Sequence, residues 1–323
     1  MFNSSNNLNT IPWILKDEHL VHKKNYSIHN QCFKRGYRIT KEIDGTLQGI
    51  VYEAINIKNN EKVIIKCTNC ALHKQNATIH NGKLVKVKEN VIIEQQILKR
   101  LEAKKPPKGF VRILEIFCDG VYIFTIQEYG GKNLFDYIIN CHNKIKKGIL
   151  PLDEWKKHCN VLIYQCLQFI NWLHNSAKCA HLDISLENML IKDVEYDINS
   201  KKFINHGHIN FIDFGLALFL SKNKIFCHKF VGKTGYKSKE IYDRKPFDPR
   251  KSDIWSIGVC LFMILTGSPP FLKPSLNDLY FANIWNGYLR RVITLWKLND
   301  KVSDLACDLL SNIFVDESLR YDI

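Results

Sequence analysis

Five residues, met in chain order, carry side chains suited to holding phosphate and a divalent cation. They are Lys66 in Val63-Ile64-Ile65-Lys66, Glu94 in Glu94-Gln95-Gln96-Ile97-Leu98, Asp183 and Asn188 in His181-Leu182-Asp183-Ile184-Ser185-Leu186-Glu187-Asn188, and Asp213 in Asp213-Phe214-Gly215. An ammonium is a compact charge that meets phosphate oxygens, and carboxylate and amide oxygens are hard donors for a cation such as Mg2+. Taken singly, each charge is more often a solvated surface group, and an isolated Asp-Phe-Gly arises by chance in turns. Their order along one chain gives them weight together.

The elements that must position these residues follow from periodicity. Short β-branched runs at 37–42, 50–56 and 63–67, divided by Asp44-Gly45 and Asn59-Asn60, predict a strand meander. Residues 91–101 predict a helix, with apolar positions at Val91, Ile97, Leu98 and Leu101 and a break at Pro106-Pro107. Strands are expected at 111–117 and 120–128. Helices are expected at 134–140, 152–174, 253–266 and 305–314, with a hairpin between Met189 and Ile212. Residues 1–38 are Asn-rich, with an aromatic anchor at Trp13 and no clear periodicity, and read as an N-terminal extension. A small β-rich part thus precedes a larger helical one, an α+β organisation.

Motif order and spacing over residues 39–323 resemble the eukaryotic protein kinase superfamily. The resemblance implies a bilobal fold, with a small β-rich N-lobe at 39–129 and a larger helical C-lobe at 130–323. It implies an enzyme that uses ATP and Mg2+ to phosphorylate serine or threonine hydroxyls of protein substrates. Lys66, paired with Glu94, would hold the α- and β-phosphates; Asp183 would accept the hydroxyl proton; Asn188 and Asp213 would hold Mg2+. Gly49, Val51, Leu190 and the hinge residues Glu128 and Gly130 would contact the nucleotide, with Gln127 as gatekeeper. Residues 232–240 resemble the end of an activation segment, Glu240 being the partner of Arg320, and Asp253 resembles the residue that anchors the catalytic-loop backbone. Leu98, His181 and Phe214 resemble members of an apolar spine. The loop lettering between Asp183 and Asn188 is not that of tyrosine kinases.

The departures from the family pattern are specific. In the glycine loop only Gly49 and Val51 keep the spacing, Asp44 and Thr46 standing where glycines let amides approach phosphate. Ile64 replaces a small alanine over the adenine. Leu182 replaces the arginine that meets an activation-segment phosphate, so a phosphate switch through that contact is excluded and the segment must be ordered otherwise. Ser185 replaces the loop lysine and Leu186 the proline after it. Lys233 occupies a threonine's place, which suggests an exchange of hydroxyl and amine, the Lys233 ammonium reaching back towards Asp183 and the γ-phosphate as a further catalytic group. Residues 192–206 lengthen the spacing before Asp213 as an extended hairpin. The poor glycine loop with His-Leu-Asp and Glu-Asn is similar to divergent apicomplexan kinases, including those named for a Phe-Ile-Lys-Lys motif. Two rival readings share the fold: a pseudokinase acting as a nucleotide-binding scaffold or signalling module, and a small-molecule kinase. The intact set from Lys66 to Asp213 stands against the first and the 232–240 segment against the second.

The chain has 323 residues, a formal net charge of +14 and eleven cysteines. Its longest apolar stretch, 254–265, is interrupted by Ser256 and Gly258 and falls short of the roughly 20 residues that span a bilayer. No signal-peptide or myristoylation pattern opens the sequence, and the cysteines lack the spacing of a disulfide framework, so a cytoplasmic protein without an integral membrane segment is expected. Cys67 and Cys70 form one CxxC without a second pair, which argues against zinc. The lysine clusters lack interleaved aromatic residues, so nucleic acid is not an expected partner. Protein substrates are, and acidic ones suit the charge.

Overall fold

Alternation within residues 49–56 and 62–67 turns Tyr52, Ala54, Val63, Ile65 and Cys67 to one side, and these begin the core of the first of two units. The computed structural model describes residues 27–81, 83–88, 90–220 and 230–322. Trp13 and residues 221–229 of the segment preceding Gly232 lie outside the described residues. The chain divides into one unit ending at Val87 and resuming at Ile113–Tyr129, and a second made of Lys88–Arg112 and the chain from Gly130 onward.

In the first unit, helix α1 (27–34) precedes β1 (Tyr37–Thr46), β2 (Gly49–Asn56) and β3 (Lys62–Asn69). A short α2 (Cys70–Lys74) and a hairpin of β4 (Ala77–His80) and β5 (Lys83–Lys86) follow, and β6 (Ile113–Cys118) and β7 (Tyr122–Glu128) complete the unit. The main sheet is antiparallel in the order β1-β2-β3-β7-β6. Ile28 and Cys32 of α1, one turn apart, are fully buried in the core that Tyr52, Ile65, Phe124 and Ile126 supply. Residues read as extension therefore help close the sheet; two buried positions are too few to register as a helical period. Cys67 joins that core, while Cys70 Sγ lies 3.7 Å from Cys118 Sγ, so the CxxC pair is split between two environments.

The second unit contains α3 (Val91–Glu102), β8 (Lys132–Asn133), α4 (Leu134–Lys146) and α5 (Leu152–Asn171), the last running into one π-helical turn at Trp172–Ser176. Then come β9 (Cys179–Ala180), β10 (Met189–Asp197), β11 (Lys202–Phe211), β12 (Leu218–Phe219), α6 (Lys239–Tyr242) and α7 (Pro249–Thr266). It closes with α8 (Leu279–Trp285), α9 (Leu289–Leu295) and α10 (Asp304–Ser311). The β10–β11 hairpin is the insertion expected before Asp213.

Helix α7 is buried along almost its whole length, and it starts earlier than its apolar run because Asp248 caps the Arg250 amide and Pro249 takes the first turn. Where the elements differ from expectation, side chains explain it. Strand β7 begins at Tyr122 because Asp119 Oδ1 accepts from the Val121 and Tyr122 amides and makes a turn of the residues before it. No described helix is long and apolar enough to cross a membrane.

Candidate active site

Four of the residues expected at the nucleotide, Gly49, Val51, Lys66 and Glu128, lie on one sheet of the first unit. Val51 on β2 is the cross-strand partner of Lys66 on β3, and Lys66 is in turn opposite Thr125 on β7. Alternation puts all three on the face opposite Tyr52, Ile65 and Ile126. Gly49 pairs with Thr46 and Thr68, and a Cβ there would lie 1.8 Å from the Cys67 carbonyl oxygen. Its lack of a side chain is thus demanded by strand packing.

The β1–β2 turn is only Leu47-Gln48, and Gln48 is buried. Its Nε2 donates to the carbonyls of Leu72 at 3.2 Å and Ala77 at 3.1 Å, while its own carbonyl accepts from the Asn69 amide at 2.8 Å. The hairpin missing two glycines is pinned by its tip to α2 and β4. Gln48 was not singled out in the sequence, and a polar residue in a turn gives no signal that it is buried.

Within the second unit, Gly130 and Leu190 adjoin: a Cβ on Gly130 would sit 2.7 Å from Leu190 Cδ1. Asn210 Nδ2 donates to the Gly130 carbonyl at 2.7 Å, fixing the segment that follows Glu128. Glu94 is buried on α3, which begins at the Asn90 cap.

The catalytic-loop candidates converge in the same unit. Asp253, buried on α7, accepts from the amides of His181 and Leu182, each at 2.8 Å, and stands 2.9 Å from His174 Nε2. These bonds hold Leu182 at φ 64°, a left-handed conformation that costs a branched residue roughly 1–3 kcal/mol. Asp213 has φ 66°, and its Oδ1 accepts from the Gly215 amide at 3.3 Å. The His181 ring packs on Phe214 with centroids 4.5 Å apart, and its Nε2 donates to the Ile212 carbonyl at 3.1 Å, tying the loop to the Asp-Phe-Gly turn. Leu98, the third expected spine member, is buried on α3.

Asn188 Nδ2 donates to both the carbonyl and Oδ2 of Asp183, each at 2.8 Å. That leaves Asn188 Oδ1 directed elsewhere, with Lys233 Nζ 3.4 Å from it. Lys233 Nζ also donates to Ser185 Oγ at 3.1 Å and stands 3.9 Å from Glu187 Oε2. Lys233 was expected to reach Asp183 itself; its hydrogen bonds go instead to Ser185 and to the Asn188 amide that orients Asp183. Burial raises the Asp183 carboxyl above the usual range, His181 opposes this, Asp213 adds to it, and Lys233 and the Asn188 bond oppose it.

Asp213 and Asn188 Oδ1 form a sparse set of hard oxygens, a donor set that suits Mg2+, an ion bound through one or two carboxylates and substrate phosphates rather than in an all-protein cage. Arg320 makes a two-pronged pair with Glu240, at 2.6 and 3.2 Å, in the interior. The Leu182 side chain enters an apolar cluster with Ala180, Val231, Ile241 and Phe247. Hydrophobic contact thus takes over where an arginine would meet a phosphate.

Comparison with known proteins gives one family, the protein kinase domain, matched over residues 37–321. Among curated relatives, CBL-interacting serine/threonine-protein kinase 18 of Arabidopsis thaliana is 27% identical over 74% of this chain and 39% of its own length. CBL-interacting serine/threonine-protein kinase 10 of the same plant is 30% identical over 71% of this chain and 41% of its own. CBL-interacting protein kinase 11 of Oryza sativa subsp. japonica is 26% identical over 76% and 42%. The chain spans less than half the length of these relatives.

Proposed function

Because the chain belongs to the protein kinase domain family, we propose that it is an ATP- and Mg2+-dependent enzyme that phosphorylates serine or threonine hydroxyls of protein substrates. The observation that carries this reading is the doubly bonded Asp183–Asn188 pair with an ammonium beside it. An oriented carboxylate of raised proton affinity can take the proton of a hydroxyl as it attacks phosphorus. Asn188 fixes which oxygen of Asp183 faces the hydroxyl. Lys233 supplies a positive charge next to the base, where negative charge builds up during transfer.

Asp213 and Asn188 would hold Mg2+, which neutralises charge on the β- and γ-phosphates when bound. Lys66 with Glu94 is assigned to the α- and β-phosphates, and Gly49, Val51, Glu128, Gly130 and Leu190 to the nucleoside end and its phosphate cover. The domain is taken as 39–323, with the boundary between its lobes in the sequence after Tyr129, in a cytoplasmic protein of the divergent kind that includes apicomplexan enzymes. The relatives' printed names support the choice of serine and threonine.

A pseudokinase reading is favoured by one feature, the loss of glycine at Asp44 and Thr46. Phosphosite mapping by mass spectrometry on a mixed peptide library separates the two. Wild type should label serine and threonine, and Asp183→Asn should lose on the order of a thousandfold in rate while its melting temperature holds. Absence of any transfer by wild type, or equal transfer by the mutant, would overturn the proposal.

A further inference from the structure

Three cations surround one aromatic ring in the second unit. Lys237 Nζ lies 4.2 Å from the Phe230 ring centroid, the Arg244 guanidinium 4.8 Å and Lys88 Nζ 5.4 Å, and Lys88 also donates to the Phe230 carbonyl. The ring face offers partial negative charge to each, but it cannot neutralise three cations. Among the described residues no carboxylate pairs with any of them. Lys237 is the telling member, because it is only 9% exposed and lysine is rarely buried unless paired. Burial, and then Lys88, hold its ammonium below the ordinary lysine range, with Asp183 pulling the other way.

The cluster borders the proposed catalytic base. A point one Cβ out from Gly232 is 3.8 Å from Lys237 Cγ and 3.9 Å from Asp183 Oδ1. An extended peptide advances about 3.3–3.6 Å per residue, so a side chain one or two residues from a hydroxyl at Asp183 reaches the Lys237 side chain. Resting on the kinase reading, we infer that Lys237, Lys88 and Arg244 around Phe230 form an anion pocket selecting substrates with a carboxylate or phosphoryl group within two residues of the acceptor hydroxyl. An anion there completes three cations that have none among the described residues, and charge-assisted bonds to a partly dehydrated site discriminate strongly against neutral side chains.

The test uses phosphatase-treated protein and a serine peptide series carrying alanine, glutamate, phosphoserine or lysine at each of the two positions on either side of the acceptor. Glutamate or phosphoserine at one position should raise kcat/KM about tenfold over alanine, as 1.4 kcal/mol of selective binding gives; the two arms tell a carboxylate site from a phosphoryl site. Lys237→Glu should reverse the order and favour lysine there. Should Lys237→Glu misfold, the exposed pair Lys88→Ala and Arg244→Ala together should collapse the acidic-to-neutral ratio towards unity. A flat charge profile, or a profile unchanged by these variants, overturns the pocket and leaves the kinase reading standing. If no peptide is phosphorylated, the kinase reading fails instead, and the pocket is judged by fluorescence anisotropy with alanine at the acceptor. Equal affinity for acidic and neutral peptides would then sink it.

Discussion

Asn188 donates both of its amide hydrogens to Asp183, one to the backbone carbonyl and one to the carboxylate, each at 2.8 Å. The amide therefore fixes the rotation of the carboxyl group and lowers its proton affinity, against the larger effect of burial.

The pH dependence follows with a definite sign. A base works only when ionised, and the Asp183 carboxyl is raised from an ordinary value near 3.9. The acid limb of kcat/KM should therefore lie above that of a free carboxylate, with activity lost as pH falls through the raised value. Lys233 opposes the rise. Lys233→Thr should move the limb to higher pH, and Lys233→Arg should keep it in place. A pH–rate profile unmoved by Lys233→Thr would show that the ammonium does not act on the base.

The pinned hairpin gives a second prediction. Gln48→Ala leaves the Leu72 and Ala77 carbonyls without their donor and frees the β1–β2 tip. The KM for ATP should rise about five- to tenfold, the scale of one or two hydrogen bonds at about 1 kcal/mol each, with kcat little changed. Initial rates across an ATP series decide this. An unchanged KM would mean the tip is positioned by strand pairing alone.

How far the sequence revealed all this depended on where each signal resided. Strands β2 and β3 were legible because β-branched runs at 50–56 and 63–67 are set off by the turn signals Asp44-Gly45 and Asn59-Asn60. The pair Glu240–Arg320 and the anchor Asp253 were legible through motif spacing, and the structure gives them the expected geometry. The hairpin of β4 and β5 was not, because all of β5 is exposed and no buried face writes a pattern. Gln48, Asn210 and the Phe230 cluster were missed for another reason. Each acts through a contact between residues far apart in the chain, and nothing local in the sequence marks it.

The apolar surroundings of Leu182 set a third expectation. Its side chain is 4% exposed, beside Val231, Ile241 and Phe247, so the end of the activation segment is held by hydrophobic contact. Phosphatase-treated protein should keep most of its activity. Leu182→Arg, which recreates the usual lettering, would bury an unpaired charge and should lower stability by about 3 kcal/mol or more. Thermal unfolding measures the second outcome. A tenfold fall in activity on dephosphorylation, regained on autophosphorylation, would contradict the first.

The contact between Lys233 Nζ and Ser185 Oγ at 3.1 Å gives the last prediction its form. In the family's usual lettering the amine is in the loop and the hydroxyl in the later segment; here the same two groups meet with their positions exchanged. Ser185 is fully buried, so its site has room for a hydroxyl and, beside it, one ammonium. Lys233→Thr removes the ammonium that hydrogen-bonds Ser185 and Asn188, and should lower kcat at saturating ATP by about ten- to a hundredfold. Ser185→Lys alone places a second ammonium in a buried site beside that of Lys233, and should impair both stability and rate. Combined, the two changes restore one amine and one hydroxyl, and the double variant should exceed either single variant in kcat and exceed Ser185→Lys in melting temperature. That sign reversal is expected only of residues sharing one task. Losses that multiply independently in the double variant would show that Lys233 is a bystander, and the charge opposite the transferred phosphoryl group would then have to come from another residue.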